Sequence, residues 1–367
     1  MRELAIDGRR IADDTSCFVI AEIGHTHQGS VEKAQELFVL AKQSGVDAVK
    51  LQKRDNRRLF TRALYETPYD NESSFGATYG AHREALELDR GAFVELQACA
   101  RELGLLFFAT AFDEASADLL AAIDVPAYKL ASGDLRNTPL LRHVAALGKP
   151  LVVSTGGATL EDVDRAVETI LPLNQDLCLL QCTAAYPAAV EELNLGVITT
   201  YRERYPELVI GLSDHQDGIA MSTVAYMLGA RVIEKHFTSS HAAKGTDHAF
   251  SLMPDGMRRL VRDLRRIPTA IGDGSKRPLA SEAKPLERMG KKLVAVRALP
   301  AGHVLADGDL VAKSPADGGL APYELDRLLG STLTRSLVED EAILAADVDP
   351  PRGAPPAEST TSAAAAS

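Results

Sequence analysis

The sequence has no run of 18 apolar residues, and its first ten residues lack the apolar stretch of a secretory signal peptide. A membrane-spanning helix is therefore not expected, and we predict a cytoplasmic protein. Cysteine is scarce as well. Cys17, Cys99, Cys178 and Cys182 do not have the spacing of a zinc ribbon, so we expect reduced thiols in the core rather than disulfides.

Positive charge is also in short supply. The 367 residues include 40 Lys and Arg against 51 Asp and Glu, which gives a net charge of −11 at pH 7. This balance opposes attraction to nucleic acid and to anionic membranes, and we expect neither as a partner. The net charge does not exclude an anionic small molecule as a ligand, because a pocket can be locally positive inside an acidic protein.

Apolar residues make up 46% of the chain, as in globular proteins with a sizeable core. Between residue 18 and residue 272, short apolar runs alternate with amphipathic stretches. Eight runs are apolar through their middle without alternation, which is typical of strands buried on both faces of a parallel sheet. They are 18–22, 48–52, 105–109, 127–131, 150–154, 177–182, 208–213 and 231–236.

Four glycines, Gly45, Gly104, Gly148 and Gly229, stand where a helix-ending residue with positive φ is expected. Eight strand–helix units in roughly 255 residues have the size and count of an α/β fold, the (β/α)8 TIM barrel. An open doubly wound sheet is the alternative. No Gly-x-Gly-x-x-Gly follows any of the runs, which removes the usual cofactor signal of that fold.

The composition changes beyond the last helical stretch. We predict a barrel domain over 1–275, a polar linker with prolines over 276–291, and a small domain of short strands and turns over 292–349. Residues 350–367 consist mainly of Pro, Ala, Ser and Thr. Such a segment cannot build a core, and we expect it to be disordered.

Polar residues stand at the ends of nearly all predicted strands, where a TIM barrel places its active site. Each one alone has a structural interpretation, such as a lysine that extends to solvent or a histidine satisfied in the core. Buried charges are costly without partners, so their convergence at one rim predicts a polar ligand. The strand-end residues are Glu22, Lys50, Gln52, Thr110, Lys129, Ser132, Asp134, Ser154, Thr183, Tyr186, Ser213, Asp214, His215, Glu234, Lys235 and His236.

The donors in this set indicate the kind of ligand. Lys50 and Lys129 supply two positive charges beside several hydroxyl groups, which suits a phosphate or a phosphate with a carboxylate. The alternative is a structural salt-bridge network of the two lysines with Glu22 and Asp134. The hydroxyl groups belong to Thr110, Ser132, Ser154 and Ser213.

Two histidines end the seventh and eighth predicted strands. His215 and His236 can therefore reach one point over the barrel mouth, where two imidazoles with substrate and water oxygens would suit a divalent transition ion. Single histidines at barrel mouths also serve as acid–base groups, so that alternative stays open.

At these strand-end positions the sequence resembles the sialic acid (N-acetylneuraminate) synthase family, whose members join phosphoenolpyruvate to N-acetylmannosamine or related aldoses. The similarity spans the predicted barrel in order, and its specific strings are Gly-Leu-Ser-Asp-His at 211–215 and Lys-His-Phe-Thr at 235–238. The region 292–349 resembles the family's antifreeze-like (SAF) domain. Other matching runs are Ile20–Gly24 with His27 and Gly29, Asp47–Gln52, Pro126–Gly133, Val153–Gly156, Cys182 and Thr183 with Tyr186 and Pro187, and Asp247.

The resemblance implies a role for each matching position. Glu22, Asp134 and His236 would be catalytic, with the two carboxylates near the reacting carbons. His215 and His236 would hold a divalent ion, usually Mn²⁺, with Mg²⁺ or Co²⁺ as alternatives. Phosphoenolpyruvate contacts would come from Lys50, Thr110, Lys129, Ser132, Ser154 and Ser213, and sugar contacts from Gln52, Asn71, Tyr186 and Asp247.

The implied reaction is an attack of the enol carbon on the metal-polarised aldehyde, which yields a 3-deoxy-2-keto sugar acid of the sialic acid type and phosphate. Four positions depart from the family pattern. Thr26 and Ala184 each replace Asn, Asp134 replaces Glu, and Ser314 replaces an Arg of the capping domain. Most of the phosphate contacts are kept, so the reaction type is expected to hold while the aldose acceptor is open.

Two other functions on the same scaffold are alternatives. A metal-dependent hydrolase would use Asp247 or Asp134 to activate water, although such sites usually gather more than two histidines and carboxylates as ligands. A non-catalytic sugar-phosphate-binding protein would keep the ligand site without turnover, yet it need not keep both lysines and both histidines.

The family also swaps its small domain between subunits, so the resemblance implies a homodimer that acts on small molecules. The loop after the second predicted strand adds four cations, Lys53, Arg54, Arg57 and Arg58. Charge runs are commonly solvated faces. The alternative is that this loop attracts phosphoenolpyruvate or an anionic acceptor.

Overall fold

The structure, a computed structural model, describes residues 2–349, so the tail predicted at 350–367 lies outside the described residues. The chain divides into two compact units, with the boundary between Gly272 and Asp273. Among the residues described, no helix is long and apolar enough to cross a membrane.

The first unit contains a closed barrel of eight parallel strands, which confirms the predicted (β/α)8 fold. An antiparallel hairpin, β1 (Glu3–Ile6) and β2 (Arg9–Ala12), precedes the barrel, and the pattern of apolar runs does not reveal it. The barrel strands are β3 (Phe18–Gly24), β4 (Ala48–Lys53), β5 (Leu106–Ala111), β6 (Tyr128–Leu130), β7 (Leu151–Ser154), β8 (Leu177–Cys182), β9 (Val209–Asp214) and β10 (Val232–His236). Each strand pairs with the next, and β10 closes the ring on β3.

Eleven helices belong to this unit among the described residues. They are α1 (Val31–Ser44), α2 (Asn56–Leu59), α3 (Arg62–Glu66), α4 (Tyr79–Ala85), α5 (Arg90–Glu102), α6 (Glu114–Ala122), α7 (Thr138–Ala146), α8 (Leu160–Ile170), α9 (Val197–Arg204), α10 (Ala220–Met227) and α11 (Pro254–Ile271). Local sequence sets their ends. Ser30 accepts the N–H of Lys33 at the start of α1, and Gly45 with φ of 86° ends it.

The other three predicted helix-ending glycines also have positive φ, so that prediction is confirmed. The core lies between the barrel and its helices. Every residue of β3, β8 and β9 is buried, as the non-alternating apolar runs predict. Because all eight strands are parallel, their carboxyl ends gather at one rim, and the polar strand-end residues meet there.

The second unit has short elements around a small apolar core. The exposed helix α12 (Ala283–Met289) lies in the segment predicted as a linker. Two antiparallel pairs follow, β11 (Lys292–Ala295) with β12 (Leu310–Lys313) and β13 (Thr332–Leu333) with β14 (Val348–Asp349), and the short helix α13 (Leu325–Leu328) lies between them in sequence. The core includes Leu293, Leu299, Leu305, Leu310, Leu328, Leu333, Leu337 and Ile343.

Candidate active site

A small cavity of about 70 Å³ opens at the carboxyl ends of the barrel strands. The structure brings eleven of the predicted site residues to its wall: Glu22, Lys50, Gln52, Thr110, Lys129, Ser132, Ser154, Tyr186, Ser213, His215 and His236. Phe112, Ala131, Cys182 and Glu234 complete the lining. The strand ends therefore meet around one polar cavity that opens at the rim of the barrel.

Two buried lysines stand in this cavity. The Lys50 ammonium donates to the Thr110 hydroxyl at 2.8 Å and pairs with Glu22. The Lys129 ammonium donates to the Ser154 hydroxyl at 2.6 Å. Both side chains are almost fully buried, so their charges must be balanced within the cavity or by a ligand.

Glu234 supplies much of that balance. Its carboxylate lies 3.8 Å from the Lys50 nitrogen and 3.9 Å from the Lys129 nitrogen, and it accepts the Ser213 hydroxyl at 3.0 Å. Burial acts to raise the pKa of Glu234, but the two lysines outweigh it and hold that pKa below its usual range. The sequence places Glu234 at a strand end but does not indicate a role for it. The structure shows it as the shared counter-ion of both lysines.

Glu22 behaves in the opposite way. Burial raises the pKa of its carboxyl to about 7. Lys50 opposes this rise, and the negative charge of the nearby Glu234 adds to it. Gln52 donates its amide N–H to Glu22 at 2.7 Å. The cavity therefore holds one firmly ionised carboxylate and one that titrates near neutrality, the arrangement expected of an acid–base site.

The two histidines predicted as metal ligands are neighbours, with ring centroids 5.4 Å apart and the rings inclined at 63° in an edge-to-face arrangement. The Nδ1 atom of His215 lies 2.9 Å from the Thr183 carbonyl oxygen, so in the neutral ring Nδ1 carries the proton and Nε2 keeps its lone pair. The Nδ1 atom of His236 is buried and has no hydrogen-bond partner. Two imidazole nitrogens are thus available as ligands.

Other protein ligands are few. The residues from 2 to 349 contain no group of three or more His, Cys, Asp or Glu side chains arranged to hold a metal ion. Two imidazoles alone leave several coordination positions of a transition ion open. The donor set therefore fits an ion that takes its remaining ligands from substrate and water oxygens.

Aromatic rings surround the two histidines. The ring of Tyr186 lies 4.2 Å from that of His215, and the ring of Phe250 lies 4.8 Å from that of His236. Tyr186 remains 56% exposed and borders the mouth of the cavity. Phe250 was outside the predicted set, since an apolar side chain in a loop carries no chemical signal.

Asp247 lies just outside the cavity wall. Its carboxylate accepts the backbone N–H of His25 at 3.2 Å and lies 3.9 Å from Nδ1 of His236. Burial acts to raise the pKa of Asp247, but His236 and His25 outweigh it and hold the pKa far below its usual range. An ionised Asp247 therefore borders the histidine end of the site.

Besides Asp247, two more predicted site residues, Asp134 and Asn71, do not reach the cavity wall. Asp134 ends a 3-10 turn at Ser132–Asp134 and accepts the Asn137 amide at 3.4 Å, and burial raises its pKa to about 6. Asn71 is exposed and accepts the N–H of Ser73. Both follow their strands through turns or loops, where strand register no longer sets the direction of a side chain.

Comparison with known proteins agrees with this geometry. The NeuB family matches residues 37–276, and the SAF domain matches residues 292–349. The chain is 37% identical over 342 residues to N-acetylneuraminate-9-phosphate synthase of Homo sapiens, which covers 93% of this chain and 95% of the relative. It is 36% identical over 336 residues to N,N'-diacetyllegionaminic acid synthase of Legionella pneumophila, which covers 90% and 94%.

A solved structure shows the same likeness. The N-acetylneuraminic acid (sialic acid) synthetase of Leptospira borgpetersenii is 29% identical, with a TM-score of 0.67 over 78% of this chain and 95% of that chain. The barrel and its rim of lysines, histidines and carboxylates define an enzyme of the synthase class. The chain belongs to the NeuB family, the family of the sialic acid synthases, and carries the SAF domain at its carboxyl-terminal end.

Proposed function

We propose that the protein condenses phosphoenolpyruvate with an aldose, N-acetylmannosamine or a related sugar, to give a 3-deoxy-2-keto sugar acid and phosphate. The observation that carries the proposal is the pair of buried lysines, Lys50 and Lys129, in the same cavity as His215 and His236. A trianionic substrate and an ion that polarises an aldehyde need these two kinds of group side by side.

The lysine side of the cavity is the site proposed for phosphoenolpyruvate. Lys50 and Lys129 would pair with its phosphate and carboxylate, and the hydroxyls around them would donate further hydrogen bonds. Ser132 belongs to this group and already accepts the backbone N–H of Gly156 at 2.9 Å. The donors that would act together are Thr110, Ser132, Ser154 and Ser213.

The histidine side is the site proposed for a divalent ion, with Mn²⁺ as the first candidate and Mg²⁺ or Co²⁺ as alternatives. His215 and His236 would hold it through the nitrogens described above. When bound, such an ion supplies Lewis-acid polarisation of the aldehyde oxygen. The aldose would lie between this end of the cavity and Gln52, Tyr186 and Asp247, and Asn71 would need to approach from its loop.

The enol carbon C3 of phosphoenolpyruvate forms a bond with the aldehyde carbon, and the aldehyde oxygen becomes a hydroxyl group. Water adds at C2 and the phosphate group leaves, so that C2 becomes the ketone. Glu22, beside the reacting carbons, would accept the proton of that water or stabilise the positive charge at C2. Asp134 would act only through the turn that carries Ser132.

The proposal names the class of the acceptor, an aldose, and does not name one particular aldose. The human relative is named for a phosphorylated product and the Legionella relative for an unphosphorylated one, so the names do not decide between the two kinds of acceptor. A homodimer in which the SAF domain covers the partner's barrel would complete the site, and we include it in the proposal.

The test is phosphate release from phosphoenolpyruvate with Mn²⁺ and a panel of aldoses. The proposal expects release that needs both an aldose and the ion, together with loss of one aldose per phosphate. Release without any aldose would indicate the hydrolase alternative. Binding of phosphoenolpyruvate without release in the presence of every aldose would indicate the non-catalytic alternative.

A further inference from the structure

One of the four hydroxyl groups in the cavity is bound to a thiol. The Ser132 hydroxyl donates to the sulphur of Cys182 at 3.4 Å, and its oxygen accepts the backbone N–H of Gly156 at 2.9 Å. Cys182 is the last residue of β8, is 5% exposed and lines the cavity together with Ser132. A hydroxyl group has a single proton, so the proton of Ser132 is directed to Cys182.

The sulphur of Cys182 acts as an acceptor toward Ser132. The second polar neighbour of this sulphur is Nδ1 of His215, at 3.8 Å, and that nitrogen donates to the Thr183 carbonyl oxygen at 2.9 Å. A ring nitrogen that carries a proton has no lone pair to accept the thiol proton. Thiol sulphur is a weak acceptor, so the hydrogen bond orients the Ser132 hydroxyl without binding it tightly.

The other three hydroxyl groups hold their protons differently. Ser213 donates to the Glu234 carboxylate at 3.0 Å, and a charged acceptor of this kind makes a strong hydrogen bond. The Thr110 and Ser154 oxygens accept from the two buried lysines, and their own protons have no acceptor in the described part of the chain. Ser132 is the intermediate case, because its proton has a partner that holds it weakly.

Cys182 also lies where the two sides of the cavity meet. Ser132 is one of the donors proposed for phosphoenolpyruvate, His215 is one of the ligands proposed for the ion, and the sulphur contacts both. A phosphate oxygen is a stronger acceptor than a thiol. An anion on the lysine side can therefore take over the Ser132 hydrogen bond at little cost.

We propose that Cys182 is a positioning residue that orients the Ser132 hydroxyl and yields this hydrogen bond to the phosphate of phosphoenolpyruvate, an inference that rests on the proposed function. A phosphate oxygen replaces the sulphur as the acceptor, no proton is transferred, and the Gly156 N–H keeps the Ser132 oxygen in place. A stronger acceptor at position 182 would compete with the substrate for the hydroxyl. Removal of the acceptor would leave the hydroxyl unpaired in the free protein and so favour binding.

The experiment measures the affinities of phosphoenolpyruvate and of inorganic phosphate by calorimetry in wild type, Cys182→Ser and Cys182→Ala. A hydroxyl oxygen accepts better than sulphur, so Cys182→Ser should bind both anions about five-fold more weakly, which corresponds to about 1 kcal/mol. Cys182→Ala should bind them as tightly as wild type, or up to about three-fold more tightly. A merely structural role would give the opposite order, because alanine removes more of the side chain.

Three controls separate this effect from damage to the strand. Cys178→Ser makes the same change at a buried thiol of β8 that does not line the cavity, and it should leave both anion affinities unchanged. Ser132→Ala removes the hydroxyl, so addition of Cys182→Ser should cause no further loss. The Mn²⁺ affinity of Cys182→Ser should equal that of wild type, because the Thr183 carbonyl oxygen holds His215.

The inference and the proposed function fail in different ways. Weaker anion binding in Cys182→Ser that disappears in the Ser132→Ala background supports the inference, even if no aldose is turned over and the proposed function is wrong. Equal anion affinities in wild type, Cys182→Ser and Cys182→Ala would overturn the inference while turnover upholds the function. A loss that persists without the Ser132 hydroxyl, or that is larger in Cys182→Ala, would also overturn it. Failure of wild type to bind either anion would overturn both.

Discussion

The Lys235 ammonium lies 2.9 Å from the Asp214 carboxylate across the neighbouring strands β10 and β9, and both side chains are almost completely buried. The two residues are paired in register, directly before His236 and His215. Because side chains alternate along a strand, Ser213, His215, Glu234 and His236 reach the cavity, and this ion pair does not line it. The pair joins the two strand ends that carry the histidines.

Lys235→Met should therefore destabilise the barrel. Removal of one partner leaves the Asp214 carboxylate buried with only the Ser222 hydroxyl and the Gln216 N–H as donors, a loss of about 3–5 kcal/mol in the free energy of unfolding. Urea unfolding followed by circular dichroism measures it. Lys149→Met is the control, since Lys149 pairs with Asp124 at the surface and should change stability by less than about 1 kcal/mol. Similar losses in both variants would contradict this account.

Much of this arrangement follows from the sequence. Eight apolar runs predict the barrel, and the carboxyl ends of parallel strands must meet at one rim, so eleven of the predicted residues line one cavity. The sequence does not show as directly which residues of a strand end line the cavity and which form structural contacts. Lys235 and Glu234 look equivalent in the sequence, yet alternation sends Glu234 into the cavity and Lys235 to Asp214.

The remaining differences arise where the chain leaves a strand. Asp134 and Asn71 follow turns and loops whose paths the apolar pattern does not set, and neither lines the cavity. The four cations predicted to share a loop also differ in position, because Lys53 ends β4, Arg54 follows it, and Arg57 and Arg58 belong to α2. Lys53 and Arg54 are buried, whereas Arg57 and Arg58 are exposed, and only the three-dimensional contacts separate the two pairs.

The pH dependence of the reaction should report Glu22. With a pKa near 7 in the free enzyme, its carboxyl is protonated below that pH and ionised above it. If the ionised form assists the addition of water, kcat/KM should rise as pH increases through about 7. The Glu22→Gln variant should lose this limb and be slow at every pH. A rise near pH 7 that persists in Glu22→Gln would assign the titration to another group.

The pH dependence of folding stability should also report the protonation of Glu22. A carboxyl whose pKa of about 7 in the folded protein exceeds its ordinary value of 4.5 binds its proton more tightly in the folded state. Its contribution to stability is complete below pH 4.5 and is lost as pH rises through about 7. Wild type should therefore lose more stability than Glu22→Gln between pH 5 and pH 8, and the opposite order would contradict the pKa assignment.

Metal binding should depend on both histidines. His215→Ala and His236→Ala should each weaken Mn²⁺ binding in calorimetric titration and remove the thermal stabilisation that Mn²⁺ gives, while the circular dichroism spectrum is kept. His143→Ala is the control, because His143 pairs with Asp118 at the surface of α7. Mn²⁺ binding of wild-type strength in either active-site variant would remove that histidine from the proposed ligand set.

The proposed homodimer concerns the first residues of the second unit. Leu279, Leu286 and Met289 are 54%, 52% and 66% exposed, and in the proposed homodimer the partner subunit would cover these apolar side chains. Light scattering at micromolar concentration should give twice the monomer mass, and Leu286→Glu combined with Met289→Glu should shift the protein toward monomer. A wild-type monomer at this concentration would contradict the dimer.

The most direct test of the central claim is the carbon–carbon bond itself. Phosphoenolpyruvate labelled with ¹³C at C3 and an accepted aldose labelled with ¹³C at C1 would be incubated with the protein and Mn²⁺, and the products analysed by NMR. The account predicts a one-bond ¹³C–¹³C coupling between the two labels in a 3-deoxy-2-keto acid, at the same rate as phosphate release. Phosphate release accompanied by labelled pyruvate and unchanged aldose would contradict it.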